Sequence, residues 1–237
     1  MLPIESPNIF HRALARLLGF FFRLLYHQFA WTYDWVAGAV SLGMWQDWVL
    51  AILPLINIWP VLEIGHGPGH LQSALKQRGV QTFGLDASRQ MGRLTLKHLR
   101  RSGYTPSLVN GVAQTLPFSN DTFRIVVSTF PAEFIADPKT LSEIWRVLVN
   151  GGDLYILPIA WITGKHWTER LAAWFFRFTK QSPNYQATND GEPNLVDWTS
   201  HWLNSPRQIG FCMELEHLIL NSSTLLIIHG IKNPPGN

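Results

Sequence analysis

The sequence predicts a doubly wound α/β fold, with a mostly parallel seven-stranded sheet that ends in an antiparallel hairpin. Three observations predict it. Strand-like and helix-like segments alternate four times between residues 61 and 159. The run Ile125-Val126-Val127-Ser128-Thr129 is rich in β-branched residues without apolar/polar alternation, as suits a parallel strand covered on both faces. Two apolar segments, 211–220 and 224–231, are then joined by Asn221-Ser222-Ser223, a link short enough to make them pair as a hairpin.

Taken in order, residues 9–28 read as a helix. Arg12, Arg16, Arg23 and His27 fall within an arc of about 60°, and most of the remainder is Leu, Phe or Ala. Two readings fit this pattern: a helix packed on the core with one solvated stripe, or a helix lying in a lipid interface with its arginines toward headgroups. Residues 30–57 read as two helices with a break near Gly38 and Gly43. Pro60 opens the first strand, 61–64, and a helix from Gly69 to about Gln77 is closed by Gly79. The second strand is 80–85, followed by a helix from Arg89 to Arg101 and a short strand around Ser107-Leu108-Val109. A helix from Lys139 to Leu148 turns at Gly151-Gly152 into strand 153–159. In the insertion at 161–200, segment 165–180 sets Trp167, Leu171, Trp174, Phe175 and Phe178 opposite Lys165, Glu169, Arg170, Arg177 and Lys180. A short helix at Pro206–Gln208 precedes the hairpin. The expected division is therefore a helical cap (1–57), a core (58–160), a helical lid (161–200) and a helix with hairpin completing the sheet (201–237).

The net charge of +3 is small, and no run of like charges exceeds Arg100-Arg101, so nucleic acid is not an expected partner. Only 15% of the 237 residues are charged while 13% are aromatic, which points to an apolar substrate or a membrane surface. Cys212 is the single cysteine, so no internal disulfide and no cysteine-based metal site can form. The first residues lack the basic lead of a signal peptide, and Arg16 and Arg23 interrupt the apolar run. A cytoplasmic protein with peripheral membrane contact is the expectation.

The chemistry is concentrated in Val61-Leu62-Glu63-Ile64-Gly65-His66-Gly67-Pro68-Gly69-His70-Leu71. A strand, a glycine turn and a helix let backbone approach a nucleotide-like ligand closely. The dinucleotide fingerprint wants a third glycine where His70 stands, which disfavours a nicotinamide-dependent oxidoreductase. Glu63 would repel a pyrophosphate and suits a cationic amino group. Asp86, at the end of the second strand, suits a pair of ribose hydroxyls. Together they describe a nucleoside with an amino-acid tail and no phosphates, which is S-adenosylmethionine. Blander roles stand beside these: Glu63 or Asp86 as a helix cap, His66 and His70 as a turn and a first-turn residue rather than a metal pair, and Glu143 with Arg146 as a tie of helix to sheet. No metal is expected.

At these residues the chain resembles the class I S-adenosylmethionine-dependent methyltransferases of the type 11 group, which have a Rossmann-like core. The matching motifs are Val61 to Leu71, Gly84-Leu85-Asp86-Ala87-Ser88, Leu116-Pro117-Phe118 with Asp121-Thr122-Phe123, and Glu143 to Leu148 with Gly151-Gly152. The stretch Tyr33-Asp34 to Ser41-Leu42-Gly43 and Trp45 is also similar to the lead-in of ubiquinone/menaquinone-biosynthesis C-methyltransferases. The resemblance implies that Glu63, Gly65, His66, Gly67 and Gly69 wrap the methionine end and that Asp86 holds the ribose. It implies further that Ala87 or Ser88 flanks the adenine, that Val112, Ala113 and Gln114 line its other edge, and that Thr129 and Phe130 lie beneath the sulfonium. Val112 departs from the family, which usually has an acid or amide there. Arg124 and Asn150 replace a frequent Asp and a frequent Pro. Candidate bases, needed only if the methyl acceptor must lose a proton, are Tyr33, Asp34, Glu133 and His166. Trp31, Trp35 and Trp45 are candidates for cation–π contact with the sulfonium. The implied methyl acceptor is a small, bulky, apolar or lipid-like molecule such as an isoprenoid quinone precursor. A non-catalytic interaction module of the same fold is the competing reading.

Overall fold

A computed structural model describes residues 44–131, 133–162, 203 and 206–233. The helices expected at 9–28 and 165–180, the first part of 30–57 and nearly all of the lid lie outside the described residues. The described chain runs α1 (Trp45–Leu50), β1 (Val61–Ile64), α2 (His70–Gln77), β2 (Thr82–Asp86), α3 (Arg89–Arg101), β3 (Leu108–Asn110), β4 (Phe123–Thr129), α4 (Pro138–Val147), β5 (Leu148–Ile162), β6 (Phe211–Ile219) and β7 (Ser223–Lys232).

The seven strands form one sheet in the order β3-β2-β1-β4-β5-β7-β6. Pairing is parallel from β3 through β5, whereas β7 runs antiparallel to both β5 and β6. This is the expected parallel sheet closed by a hairpin, with Leu220 N–H donating to Ser223 O across the turn at 2.8 Å. The order reverses at β1, so the loops after β1 and β4 open side by side at the carboxyl edge. That crevice is where open α/β sheets bind ligands.

Alternation of side chains builds two cores. Leu62, Ile64, Val126, Leu154 and Ile156 pack with α4 on one face. Val61, Ile125, Val127, Tyr155 and Leu157 pack with Leu71 and Leu75 of α2 and Trp48 of α1 on the other. Burial on both faces explains why the central strands read as continuous apolar runs. The fifth strand starts earlier than expected: Leu148 pairs with Phe123, and the Gly151-Gly152 step shifts the register before Asp153 pairs with Ile125. Within the described part of 30–57, the second expected helix is one short α-helix followed by a 3-10 turn at Leu53–Leu55. Trp48, 1% exposed, anchors α1 by donating its indole N–H to Ser223 Oγ at 2.8 Å.

Candidate functional site

The site begins where β1 stops. Gly65, Gly67 and Gly69 have φ of +74°, +50° and +88°, so the loop follows a left-handed path that L side chains resist. Two of the three are also sterically confined. A Cβ on Gly69 would lie 2.3 Å from Thr95 Cγ2, and one on Gly65 would touch the Phe134 ring at 3.5 Å. A Cβ on Gly67 would meet none of the described residues within 4 Å, so among them that face of the loop is open for a ligand.

The peptide of Gly67 is held from both sides. Its N–H donates to Asp86 Oδ2 at 2.9 Å, and its carbonyl accepts from Thr95 Oγ1 at 2.8 Å and lies 2.9 Å from His66 Nδ1. Asp86 Oδ1 also accepts from Ser88 N–H at 2.7 Å, so backbone donors fix the carboxylate while lone pairs remain for ribose hydroxyls. Asn110 braces the same turn, its amide donating to the carbonyls of Asp86 and Ala87 at 2.9 and 3.0 Å. Ser128 Oγ donates to Ile64 O at 2.7 Å and pins the last peptide before the glycines.

His66 is 4% exposed, and its imidazole occupies space that a Cβ on Gly84 would need, 2.9 Å from His66 Cδ2. Burial lowers its pKa, against the opposing influence of the Asp86 charge. With Nδ1–H donating to the Gly67 carbonyl, Nε2 is the bare nitrogen, and it is buried with no partner among the described residues. Glu63 is likewise interior, at 1% exposure. It shares a side of β1 with Val61, under α2, where its Oε2 accepts from Gln72 Nε2 at 2.8 Å. Burial pushes its carboxyl up to about 8, against the Gln72 hydrogen bond. At neutral pH it is therefore largely protonated, and the repulsion expected between a Glu63 charge and a pyrophosphate does not operate through a full charge.

Neither acid caps a helix. Gly69 precedes α2 without a side-chain cap, and Ser88, not Asp86, caps α3 by accepting from Met91 N–H at 3.3 Å. Asp86 is already committed to Gly67 and Ser88. Glu143 and Arg146 do tie structure together, but to a loop rather than to the sheet. They form a two-pronged pair at 2.7 and 2.8 Å and bond the backbone of Leu116 and Phe118.

On the far side of the crevice, Val112 is 49% exposed, Ala113 is buried, and Gln114 donates to Asp137 Oδ2 at 3.1 Å. An exposed Val112 offers no side-chain hydrogen bond to an adenine amino group. Thr129 ends β4, and Phe130 follows with φ +47°, an unusual conformation for a bulky residue. The Phe130 ring packs on Trp45 at 4.5 Å and Trp48 at 6.2 Å, forming an aromatic wall between α1 and the end of β4. Glu133 lies in the 3-10 turn Glu133–Ala136 beyond it. Tyr33, Asp34, His166, Trp31 and Trp35 lie outside the described residues.

Thr95, Asn110, Ser128 and Gln72 were not singled out in the sequence. Each bonds a residue of the site from a distant segment, and nothing local to any of them signals it. The open face at Gly67, the oriented Asp86 carboxylate and the apolar rim fit a nucleoside ligand of the kind S-adenosylmethionine provides.

Comparison with known proteins agrees with this geometry. A family described as "Methyltransferase domain" matches residues 61–152. The ubiquinone/menaquinone biosynthesis C-methyltransferase of Blochmanniella floridana is 31% identical over 151 residues, covering 60% of this chain and 59% of that protein. The demethylmenaquinone methyltransferase of Symbiobacterium thermophilum is 30% identical over 139 residues, 55% of each chain. The chain thus spans less than two thirds of these relatives. Among solved structures, a putative S-adenosyl-L-methionine-dependent methyltransferase of Methanococcus maripaludis superposes with a TM-score of 0.58 at 18% identity, covering 100% of this chain and 99% of that one. A Haemonchus contortus phosphoethanolamine N-methyltransferase bound to S-adenosylhomocysteine gives 0.55 at 17% identity, over 81% of this chain and 53% of that one. The motif order and these likenesses converge on residues 61–152, which match the methyltransferase domain, and the sheet order is that of the Rossmann-like fold of S-adenosylmethionine-dependent methyltransferases.

Proposed function

We propose that this protein transfers a methyl group from S-adenosylmethionine to a small apolar acceptor of the quinone-precursor type. The observation that carries the donor half is the loop of three left-handed glycines locked to the Asp86 carboxylate at the end of β2. Bound there, S-adenosylmethionine supplies a methyl group already activated on a sulfonium. The chain's task is then to position the two partners and exclude water. Gly65 to Gly69 present backbone to the amino-acid tail, Asp86 accepts from the ribose, and Ala87, Val112 and Ala113 border the base. Thr129 and Phe130 close the floor, with Trp45 behind Phe130 as an electron-rich surface suited to a cationic neighbour. Glu63 and His66 act from beneath, holding the loop's path.

The acceptor half rests on the aromatic wall and on relatives named for ubiquinone and menaquinone biosynthesis. Tyr33, Asp34, Glu133 and His166 are the proposed sources of a base. The helical cap and lid are proposed to close over the acceptor and to bring the protein to a membrane surface in the cytoplasm. Among the described residues no helix is long and apolar enough to cross a membrane.

Calorimetric titration with S-adenosylmethionine tests the donor half. Asp86→Ala is expected to weaken binding at least tenfold, and unchanged binding refutes the site. No binding by the wild type favours the interaction-module reading. Transfer of labelled methyl to demethylated quinone precursors, compared with phospholipid headgroups, tests the acceptor. Liposome flotation with and without residues 1–28 tests the membrane contact.

A further inference from the structure

The cations of this chain are not spread evenly. Residues 87–120 contain Arg89, Arg93, Lys97, Arg100 and Arg101 and no Asp or Glu, whereas the whole chain nets only +3. All five lie on α3. At about 100° per residue they fall within an arc of about 120°, and the helical rise lays them along about 18 Å. The opposite side holds the buried Met91, Thr95 and Leu99, with the helix packed on β2 and the outer strand β3. No basic run marks this stripe in the sequence, because most of its members stand four residues apart.

The stripe is not neutralised from within the fold. All five side chains are exposed, and among the described residues none pairs with a carboxylate. Arg89 donates from Nε to Asn110 Oδ1 at 3.3 Å, an amide oxygen that leaves its charge uncompensated. Asp86, just ahead of the helix, commits its carboxylate to the N–H groups of Gly67 and Ser88. Arg89 with Arg93, Arg93 with Lys97, and Lys97 with Arg101 are neighbours four apart, so the stripe repels itself along its length. A face of this kind is complementary to a partner that is anionic over the same length.

Two features choose among anionic partners. The stripe is the flank of a helix laid on the sheet, and no Phe, Tyr or Trp lies on α3. It offers neither a projecting helix for a groove nor a stacking platform for bases. Leu94 and Leu96, each half-buried, border the stripe on its two sides and give it the apolar margin of a face resting on a lipid interface.

We propose that the α3 face docks on an anionic phospholipid bilayer through Arg89, Arg93, Lys97, Arg100 and Arg101. The choice of a bilayer rests in part on the apolar acceptor proposed above, which partitions into membranes. The basic character of the face does not. Because α3 starts just after the carboxyl end of β2, docking sets the donor crevice beside the bilayer surface. The contact is separate from any made by residues 1–28.

The test is co-sedimentation of the full chain with two kinds of vesicle, phosphatidylcholine alone and phosphatidylcholine with an equal part of phosphatidylglycerol. Tighter binding to the mixed vesicles is expected. That preference should fade as salt rises from about 0.1 to about 1 M, where the Debye length falls from roughly 10 to roughly 3 Å. Arg93→Gln/Lys97→Gln/Arg101→Gln removes three exposed charges without touching the donor site. At roughly fivefold per cation near the surface, the affinity of this variant for mixed vesicles should fall about 100-fold. Its S-adenosylmethionine affinity should match the wild type, which shows that the fold and donor site are intact. Three results overturn the proposal. They are equal affinity for the two vesicles, unchanged affinity in the triple variant, or tighter binding to RNA than to mixed vesicles at the same salt. Sedimentation uses neither donor nor acceptor, so a failure of methyl transfer to quinone precursors is read separately.

Discussion

Thr95 stands where a side chain on Gly69 would have to go, 2.3 Å from the position of its Cβ, and its hydroxyl donates to the Gly67 carbonyl at 2.8 Å. One residue of α3 therefore excludes bulk at one end of the loop and fixes the peptide in its middle.

Gly69→Ala is expected to destabilise the protein by about 2 kcal/mol or more, from left-handed strain plus the clash. Adding Thr95→Ala should recover the clash but not the strain. Urea unfolding of the two single variants and the double variant measures the difference.

Thr95→Val keeps the shape and removes the hydroxyl. Stability should fall by roughly 1 kcal/mol, while S-adenosylmethionine affinity falls severalfold because the Gly67 peptide loses a donor. Equal affinity in the variant would show that the hydroxyl does not set the loop.

Glu63 makes stability pH-dependent. Its folded-state value of about 8 exceeds the ordinary 4.5, so the folded state holds the proton more tightly. The contribution is complete below about pH 4.5 and is lost as pH rises toward 8. Glu63→Gln, which keeps the contact with Gln72, should flatten the fall in unfolding free energy between pH 5 and 8.5.

His66 acts in the opposite direction. Its folded value is depressed below 6.5, so its contribution is present above pH 6.5 and is lost as pH falls through the folded value. His66→Gln should remove that acid-side loss. The midpoint of urea unfolding, followed from pH 7 down to 5, checks it.

Trp48 and Ser223 meet in the interior, each 1% exposed, so removing either partner strands the other. Trp48→Phe and Ser223→Ala should each cost about 1–3 kcal/mol, with a coupling of about 1 kcal/mol in the double-mutant cycle.

These residues also show how far the sequence could be read. The strands were legible because burial on both faces makes an apolar run, and the loop because three alternate glycines are rarely tolerated without need. The direction of Glu63 was not legible. Which side of β1 faces α2 depends on how the helix returns, and Gln72, which meets Glu63, is nine residues away. Thr95, Asn110 and Ser128 were hidden because their partners are backbone carbonyls 28, 24 and 64 residues away, and a carbonyl leaves no mark in a sequence. Asp86 was the expected cap of α3, but Ser88, also a good capping type, fills that place. Only the competing bonds of Asp86 decide between them.

The Trp48–Ser223 bond joins positions 175 residues apart, and this has a consequence for the order in which the protein matures. The donor loop and its braces lie between residues 61 and 128, so they can assemble from local sequence while synthesis is still under way. The aromatic wall cannot settle so early, because α1 finds its buried partner only when β7 emerges. The half of the site that recognises the donor should therefore form first, and the half that faces the methyl acceptor should be among the last parts of the molecule to become rigid.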